Sequence, residues 1–354
     1  MSGNQNVNVF IHSGSFFKVT KKATIREVAS RAKVSLATVS RVFNEPSLVA
    51  ESTLEGVIRA ARELNFRPNQ MGRNLRTSRT RNIGVMLPTL GNMVFAECLQ
   101  GVEAAARERQ YGIVLGTTGY RPEEEDAVSE FLLRHRVDGL VLTVANGAKS
   151  KVLDKLDKER IPYVLAYNQL SRPGRPTVSV DNRAAARQAI EYLLSLGHRQ
   201  IRMVAGSFKD SDRAKLRYKG YSEAMRAAGL APQLPIEIPF LAVDARVHLM
   251  EALGTRPRPT ALFCSNDYLA MVVIRDLVSM GIRVPGEMSV VGFDGTQAGI
   301  LTQPVLTSVV QPSQEIGRTA IAVVIAMVEG ERSPSSAILH HTLRVGGTTA
   351  PVVA

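Results

Sequence analysis

The stretch TIREVASRAKVSLATVSRVFN, residues 24–44, sets two short helical patterns back to back with room only for a tight turn between them. Thr24 and Glu27 have the S/T-x-x-E spacing of a capping box, in which each residue satisfies a backbone donor left free at a helix start. Ile25, Val28, Ala29 and Ala32 then recur at i, i+3, i+4 and i+7, one apolar stripe, with Arg26, Ser30, Arg31 and Lys33 off it. Ser35 reads as the N-cap of a second helix whose buried side is Val39, Val42 and Phe43. Leu36, Ala37, Ser40 and Arg41 are left outside. A helix with a small first turn and an outward Arg can enter a major groove and offer its guanidinium to a guanine edge. A surface helical hairpin with a solvated Arg is the alternative that these residues leave open. A third pattern follows: Ser52 and Glu55 repeat the capping-box spacing, and Val57, Ile58, Ala61 and Leu64 form a stripe. Asn65 and Pro68 end it, so a three-helix unit is predicted.

Charge separates this unit from the rest. The chain carries 44 Lys and Arg against 32 Asp and Glu, and residues 18–81 alone hold 14 basic residues against 5 Glu. The remainder is close to neutral. A basic module joined to a near-neutral body is the electrostatic footprint of nucleic-acid binding. At 354 residues, two or three domains are expected from a prior of about 150 residues each. Cys98 and Cys264 have no C-x-x-C or His companion, which points to neither a disulfide framework nor a zinc site and to a reduced, cytoplasmic setting. No run reaches the ~18 apolar residues of a membrane span, and the start lacks a signal-peptide core. Residues 1–21 read as a disordered extension.

From residue 82 the pattern changes. IGVMLP (83–88), GIVLGT (112–117), GLVLTV (139–144), PYVLAY (162–167) and TVSV (177–180) are continuous aliphatic runs, as in parallel strands buried on both faces. Helical segments are predicted between them at 96–110, 123–135 and 149–159. A second series follows, with strands at 201–206, 261–265 and 288–293 and helices at 183–196, 216–228 and 269–280. Two α/β units in tandem imply two lobes, with ligand held outside the carboxyl ends of the strands.

Residues 23–69, ATIREVASRAKVSLATVSRVFNEPSLVAESTLEGVIRAARELNFRPN, resemble the headpiece of the LacI/GalR family of bacterial transcription regulators. The body resembles that family's periplasmic-binding-protein fold through SVDN (179–182), LGHR (196–199), KGY (219–221), SND (265–267) and VVGFD (290–294). The fold class implied is α/β: a three-helix helix-turn-helix headpiece (22–67), a hinge helix or linker (68–79) and a two-lobed core (80–354). The first lobe would take about 80–179 plus 310–338, and the second about 180–309 plus 339–350. The resemblance implies double-stranded operator DNA, a small-molecule effector and a second copy of the chain as partners, with no cofactor and no enzymatic activity. The tail HHTLRVGGTTAPVVA has no heptads, so a homodimer is expected rather than a coiled-tail tetramer.

The same resemblance assigns roles. Leu36, Ala37 and Arg41 would read bases, and Thr24, Ser35, Thr38, Ser40 and Asn44 would touch phosphates or cap helices. Leu75 matches the leucine that the family wedges into the minor groove. Gly72 departs from the usual Ala and would cost the hinge about 1 kcal/mol of helix propensity. The family's effector contacts fall on Phe95 in the loop after the first strand, Arg217 opening a helix, and Asp267 and Asp294 after apolar strands. Thr89, Asn92, Thr143, Tyr167 and Asn168 occupy neighbouring strand ends, where each could instead be a cap or a satisfied loop residue. His198 is expected to cap a helix C-terminus.

The loop Tyr167-Asn168-Gln169 lacks an acid, while Lys209, Arg213, Lys215 and Arg217 crowd the approach, which favours an anionic ligand. The runs LPTLGNMVFAECLQGVEAA, GYRPEEE and VDGLVLT also resemble gluconate-type repressors of this family, so gluconate or a ketogluconate is the expected effector. Two rivals stand beside this reading. Asp267 and Asp294 could pair as acid and base in an enzyme, although there is no phosphate loop, G-x-G-x-x-G or G-x-S-x-G. Two lobes would also suit a solute receptor, which the basic headpiece opposes.

Overall fold

The computed structural model describes residues 23–66, 79–169, 175–331 and 336–352. The extension at 1–21 and the predicted hinge up to residue 78, with Gly72 and Leu75, lie outside the described residues. The chain divides into two compact units after Ser78. Among the described residues no helix is long and apolar enough to cross a membrane.

The first unit is α1 (Ile25–Ala32), α2 (Leu36–Asn44), a 3-10 turn (Pro46–Leu48) and α3 (Glu51–Glu63). Both halves of the predicted capping box form: Glu27 N donates to Thr24 Oγ1 at 3.3 Å, and Thr24 N donates to Glu27 Oε2 at 2.6 Å. Lys33, in the left-handed region at φ 56°, turns the chain out of α1. Ser35 Oγ then accepts from Thr38 N at 3.0 Å and starts α2. Val28, Ala29, Val39, Val42, Val57, Ala60 and Ala61 form the shared core, with Phe43 and Phe66 packed against it. Two expectations fail locally. Ile25, at the head of the first stripe, stays 38 % exposed. α3 begins one residue before Ser52 and has Ala50 as a cap with no side-chain bond, so Ser52 and Glu55 are already inside the helix and form no capping box.

In the second unit the chain alternates β1 (Asn82–Leu87), α4 (Met93–Glu108), β2 (Gly112–Thr117), α5 (Glu124–Arg134), β3 (Gly139–Leu142), α6 (Lys151–Glu159), β4 (Tyr163–Ala166) and β5 (Thr177–Val180). It then crosses into α7 (Asn182–Ser195), β6 (Ile201–Ala205), α8 (Asp212–Ala227), β7 (Ile236–Glu237), α9 (Arg246–Gly254), β8 (Ala261–Cys264), α10 (Asp267–Ser279), β9 (Ser289–Asp294), α11 (Gln297–Leu301) and β10 (Thr307–Val310). α12 (Ser313–Glu329) and β11 (Ala337–Leu339) return to the first series, and β12 (Thr342–Arg344) to the second.

Two six-stranded sheets result, ordered β11-β5-β4-β3-β1-β2 and β12-β10-β9-β8-β6-β7. Each is the centre of one lobe. All pairings are parallel except β10 with β12. β3, β4, β5 and β9 are buried throughout, as their aliphatic runs require, whereas β2 lies at a sheet edge and is half-exposed despite an equally apolar run. His198 is no helix cap. Its ring is buried, with Nδ1 2.9 Å from Thr260 Oγ1 and Nε2 3.0 Å from Ser289 Oγ, so it bridges strands of the second lobe. Burial holds its pKa below the usual imidazole value.

α12 is clamped onto the first lobe through α4 at backbone distance. A Cβ at Gly101 would lie 2.0 Å from the Gln314 carbonyl oxygen, and one at Gly317 2.1 Å from that of Cys98. Only hydrogen fits at either position. We therefore expect Gly317→Ala to lower stability by about 1 to 3 kcal/mol, as overpacking of a closed core does. Urea unfolding of the full chain measures this, and an unshifted midpoint would mean that the helices separate freely.

Candidate functional site

The first unit presents a compact surface at α2. Ser35 and Thr38 cap its start, their hydroxyls 2.9 Å apart, and Asn44 Nδ2 donates to the Ser40 carbonyl at 2.8 Å near its end. Thr24, Ser35, Thr38 and Asn44 thus all serve helix termini here. Leu36 is 45 % exposed, and Ala37 and Arg41 are exposed beside it. Among the described residues the Arg41 guanidinium has no partner, whereas Arg31 is paired with Glu63 at 2.7 Å. A free guanidinium next to small residues on one helix face is what direct readout of a guanine edge requires.

In the second unit the carboxyl ends of both sheets face a narrow cavity with walls from both lobes. Asp294 and Arg217 lie at its heart. Asp294 ends β9 with φ 121° and is followed by Gly295 at φ 70°. Tyr120 and Tyr167, also on the wall, sit at φ 59° and 68°. Left-handed backbone at three non-glycine residues is a local cost of the kind that clusters at binding sites. Arg217, in the second turn of α8, donates from Nε to Asn182 Oδ1 at 2.8 Å and from Nη1 to the Ser265 carbonyl. Its Nη1 lies 3.6 Å from Asp294 Oδ1, and its guanidinium carbon sits 3.6 Å over the Phe293 ring.

Burial dominates the charges of this pair. It raises Asp294 from 3.8 to about 7 and lowers Arg217 to about 10, in each case against the pull of the other. Gln311 Nε2 donates to Asp294 Oδ1 at 2.8 Å, while its Oε1 is buried without a partner among the described residues. Asn92 Nδ2 reaches Asp294 Oδ2 at 3.5 Å from the first lobe. Aromatic rings close the rest. Phe95 meets Tyr167 edge-on at 5.4 Å, and Tyr120 stacks on Phe240 of the other lobe at 4.3 Å.

Of the predicted effector residues, Phe95, Asn92, Tyr167, Arg217 and Asp294 line this cavity; Asp267, Thr89, Thr143 and Asn168 do not. The reasons are hydrogen bonds. Asp267 Oδ2 accepts from Thr296 N at 2.7 Å and its Oδ1 from Ser308 Oγ at 2.5 Å, so this carboxylate is consumed inside the second lobe. Thr89 Oγ1 accepts from Gly91 N, Thr143 Oγ1 donates to the Ala166 carbonyl, and Asn168 is tied to Val144. Phe95 belongs to α4 rather than to the preceding loop, and Arg217 lies inside α8, which starts at Asp212 instead of 216. Of the four crowding cations, Arg213 and Arg217 enter the cavity, whereas Lys209 and Lys215 are exposed.

Tyr120, Phe240 and Gln311 are wall residues that sequence reasoning missed. Tyr120 follows β2, where the strand-end rule would have found it. Gln311 follows β10, a strand absent from the predicted series, and Phe240 follows the two-residue β7.

Comparison with known proteins now decides the family. Residues 24–69 match the model of the bacterial regulatory proteins of the lacI family, and residues 190–349 match a periplasmic binding protein-like domain. Catabolite control protein A of Priestia megaterium is 32 % identical over 321 residues, covering 89 % of this chain and 95 % of the relative. The chain belongs to the lacI family. Among other lacI-family relatives, the HTH-type transcriptional regulator GntR of Escherichia coli is 32 % identical over 330 residues, covering 93 % of this chain and 99 % of that one. The lac repressor dimer bound to operator and the anti-inducer ONPF superposes with a TM-score of 0.84 at 26 % identity, over 93 % of this chain and 100 % of that one. This lacI-family chain is a DNA-binding transcription regulator and not an enzyme.

The raised Asp294 gives the regulator a measurable pH signature. The native carboxyl holds its proton to higher pH than the unfolded one, so stability falls as pH rises from about 4 to about 7 and levels off above. Asp294→Asn, which cannot titrate, should lose this component. Melting temperatures of both proteins across that window test it; parallel curves would show that Asp294 is ionised throughout.

Proposed function

We propose that the chain is a homodimeric repressor that binds a palindromic operator in the cytoplasm and responds to a sugar acid, gluconate or a ketogluconate. The observation that carries the effector class is the charge balance of the cavity. On the cavity wall Arg217 faces Asp294, which burial pushes towards its neutral form, while the buried Arg213 beside it is paired with Asp212 at 3.3 Å. An added carboxylate would complete that balance through charge-assisted bonds to guanidinium. Gln311 Oε1 and Asp294 would take hydroxyl donors, which a polyol chain supplies. Effector acts by differential affinity for two arrangements of the lobes, and so on how paired headpieces meet DNA.

Pairing has its own support. Leu90 and Met93 of the first lobe and Leu241, Val243, Val247 and Met250 of the second are exposed. The two sets adjoin, since a Cβ at Gly91 would lie 3.7 Å from Leu241 Cδ2. An apolar strip of this kind marks an interface. A second copy would cover it symmetrically and match a two-fold operator. Sedimentation of the purified chain as a monomer at micromolar concentration would remove this part of the reading.

A neutral saccharide is the second reading, favoured by the walls of Phe95, Tyr120, Tyr167 and Phe240, which suit the apolar face of a sugar ring. Calorimetric titration of the full chain separates the two. Aldonates should bind and glucose or a disaccharide should not; the reverse pattern would overturn the sugar-acid assignment.

A further inference from the structure

Several contacts bridge the lobes without belonging to the cavity wall. Glu97 Oε1 accepts from Gln297 N at 3.0 Å on the surface. A denser cluster forms at the first turn of α8, the helix that carries Arg217. Asp212 N donates to the Ala145 carbonyl at 2.7 Å. Its carboxylate accepts from Gly147 N at 3.0 Å and from Asn168 Nδ2 at 3.0 and 2.8 Å. The next residue, Arg213, donates from Nη1 to the Val144 carbonyl at 2.9 Å. A helix start in the second lobe thus grips the loop that leaves β3 in the first.

The gripped loop is itself held from its own side. Asn168 Oδ1 accepts from Val144 N at 3.0 Å, and Glu125 Oε1 accepts from Ala145 N at 2.6 Å. Loop and Asn168 therefore form one preset receptor for the Asp212 carboxylate, and neither Asp212 nor Asn168 lines the cavity. Charge-assisted bonds of this kind are stronger than neutral ones. Removing the acceptor leaves the Gly147 N–H and one of the two Asn168 Nδ2 hydrogens unsatisfied when the lobes are together, the other staying on the Val144 carbonyl, whereas water satisfies them when the lobes part.

We propose that Asp212 is a positioning residue: a latch between the lobes that sets the population of the closed arrangement, and through it the effector response, without touching effector. The proposal rests on the reading of the chain as a two-lobed effector-responsive regulator, but the latch is testable with neither effector nor DNA. An effector that needs the closed cleft binds with an apparent affinity scaled by the fraction already closed. Loss of the latch would weaken binding; because Asp212 also pairs with the wall residue Arg213 at 3.3 Å, Asn168→Ala, which leaves that pair in place, separates the latch from the wall.

The test uses the full chain, with spin labels on cysteines introduced by Lys158→Cys in the first lobe and Arg226→Cys in the second. Both positions are exposed, and the native Cys98 and Cys264 are buried and escape labelling. In ligand-free protein, Asp212→Ala should deplete the short-distance population, and Asn168→Ala should do the same. The double variant should lose no more than either alone. Asp212→Asn, which keeps the shape and one acceptor, should fall between wild type and Asp212→Ala, and it guards against a folding failure of the alanine variant. Hydrogen exchange at the Gly147 amide should lose protection in parallel. Unchanged distance distributions in folded Asp212→Ala and Asp212→Asn, or additive effects of Asp212→Ala and Asn168→Ala, would overturn the latch. Neither result would bear on operator binding or on effector class.

Discussion

The burial of one guanidinium organises the sensor unit. A charge taken out of water must be met by partners in good geometry, and removing one partner of a buried pair costs about 3 to 5 kcal/mol. Arg217 is 6 % exposed, and its partners come from separate parts of the chain: Asn182 where the chain has just crossed into the second lobe, Ser265 after β8, and Phe293 and Asp294 at the end of β9. Satisfying one side chain therefore fixes the carboxyl ends of two strands and a crossing point relative to α8. The cleft is the by-product. Asp294, held in a left-handed conformation and pressed towards neutrality, is left facing Asn92 from the opposite lobe.

The DNA-reading unit is built on a different economy of contacts. Its core is made of small and β-branched side chains, mostly Val and Ala, and its first two helices begin at explicit caps. Small core residues let helices approach closely, and the caps satisfy ends that so short a helix could not otherwise hold. The consequence is a rigid base for the exposed face of Leu36, Ala37 and Arg41, whose positions are set by Val39 and Val42 pointing the other way.

Most of the architecture was legible because it rests on local rules. A capping Thr24, an N-cap Ser35 and helical spacing suffice for α1 and α2, and aliphatic runs between amphipathic segments suffice for the central strands. What could not be read depends on distant partners. Asp267 looks like a ligand residue at a strand end, and only the fold brings Thr296 and Ser308 onto its two oxygens. Asn168 and Thr143 are consumed in the same way. Phe240 enters the cavity after a two-residue strand with no period to detect, and β2 betrays nothing of its edge position in GIVLGT. The Ser52 and Glu55 spacing shows the converse failure, a local motif overridden because the helix starts earlier on Glu51.

The claim on which the rest depends is that α2 reads duplex DNA. The most direct measurement is the affinity of the full chain and of Arg41→Ala for double-stranded fragments from its own promoter region, at one fixed salt concentration because phosphate contacts make affinity salt-dependent. If α2 lies in the major groove, Arg41→Ala weakens binding to the preferred fragment by about 1 to 3 kcal/mol and relaxes one base position. Equal affinity and equal sequence preference for the two proteins would contradict it.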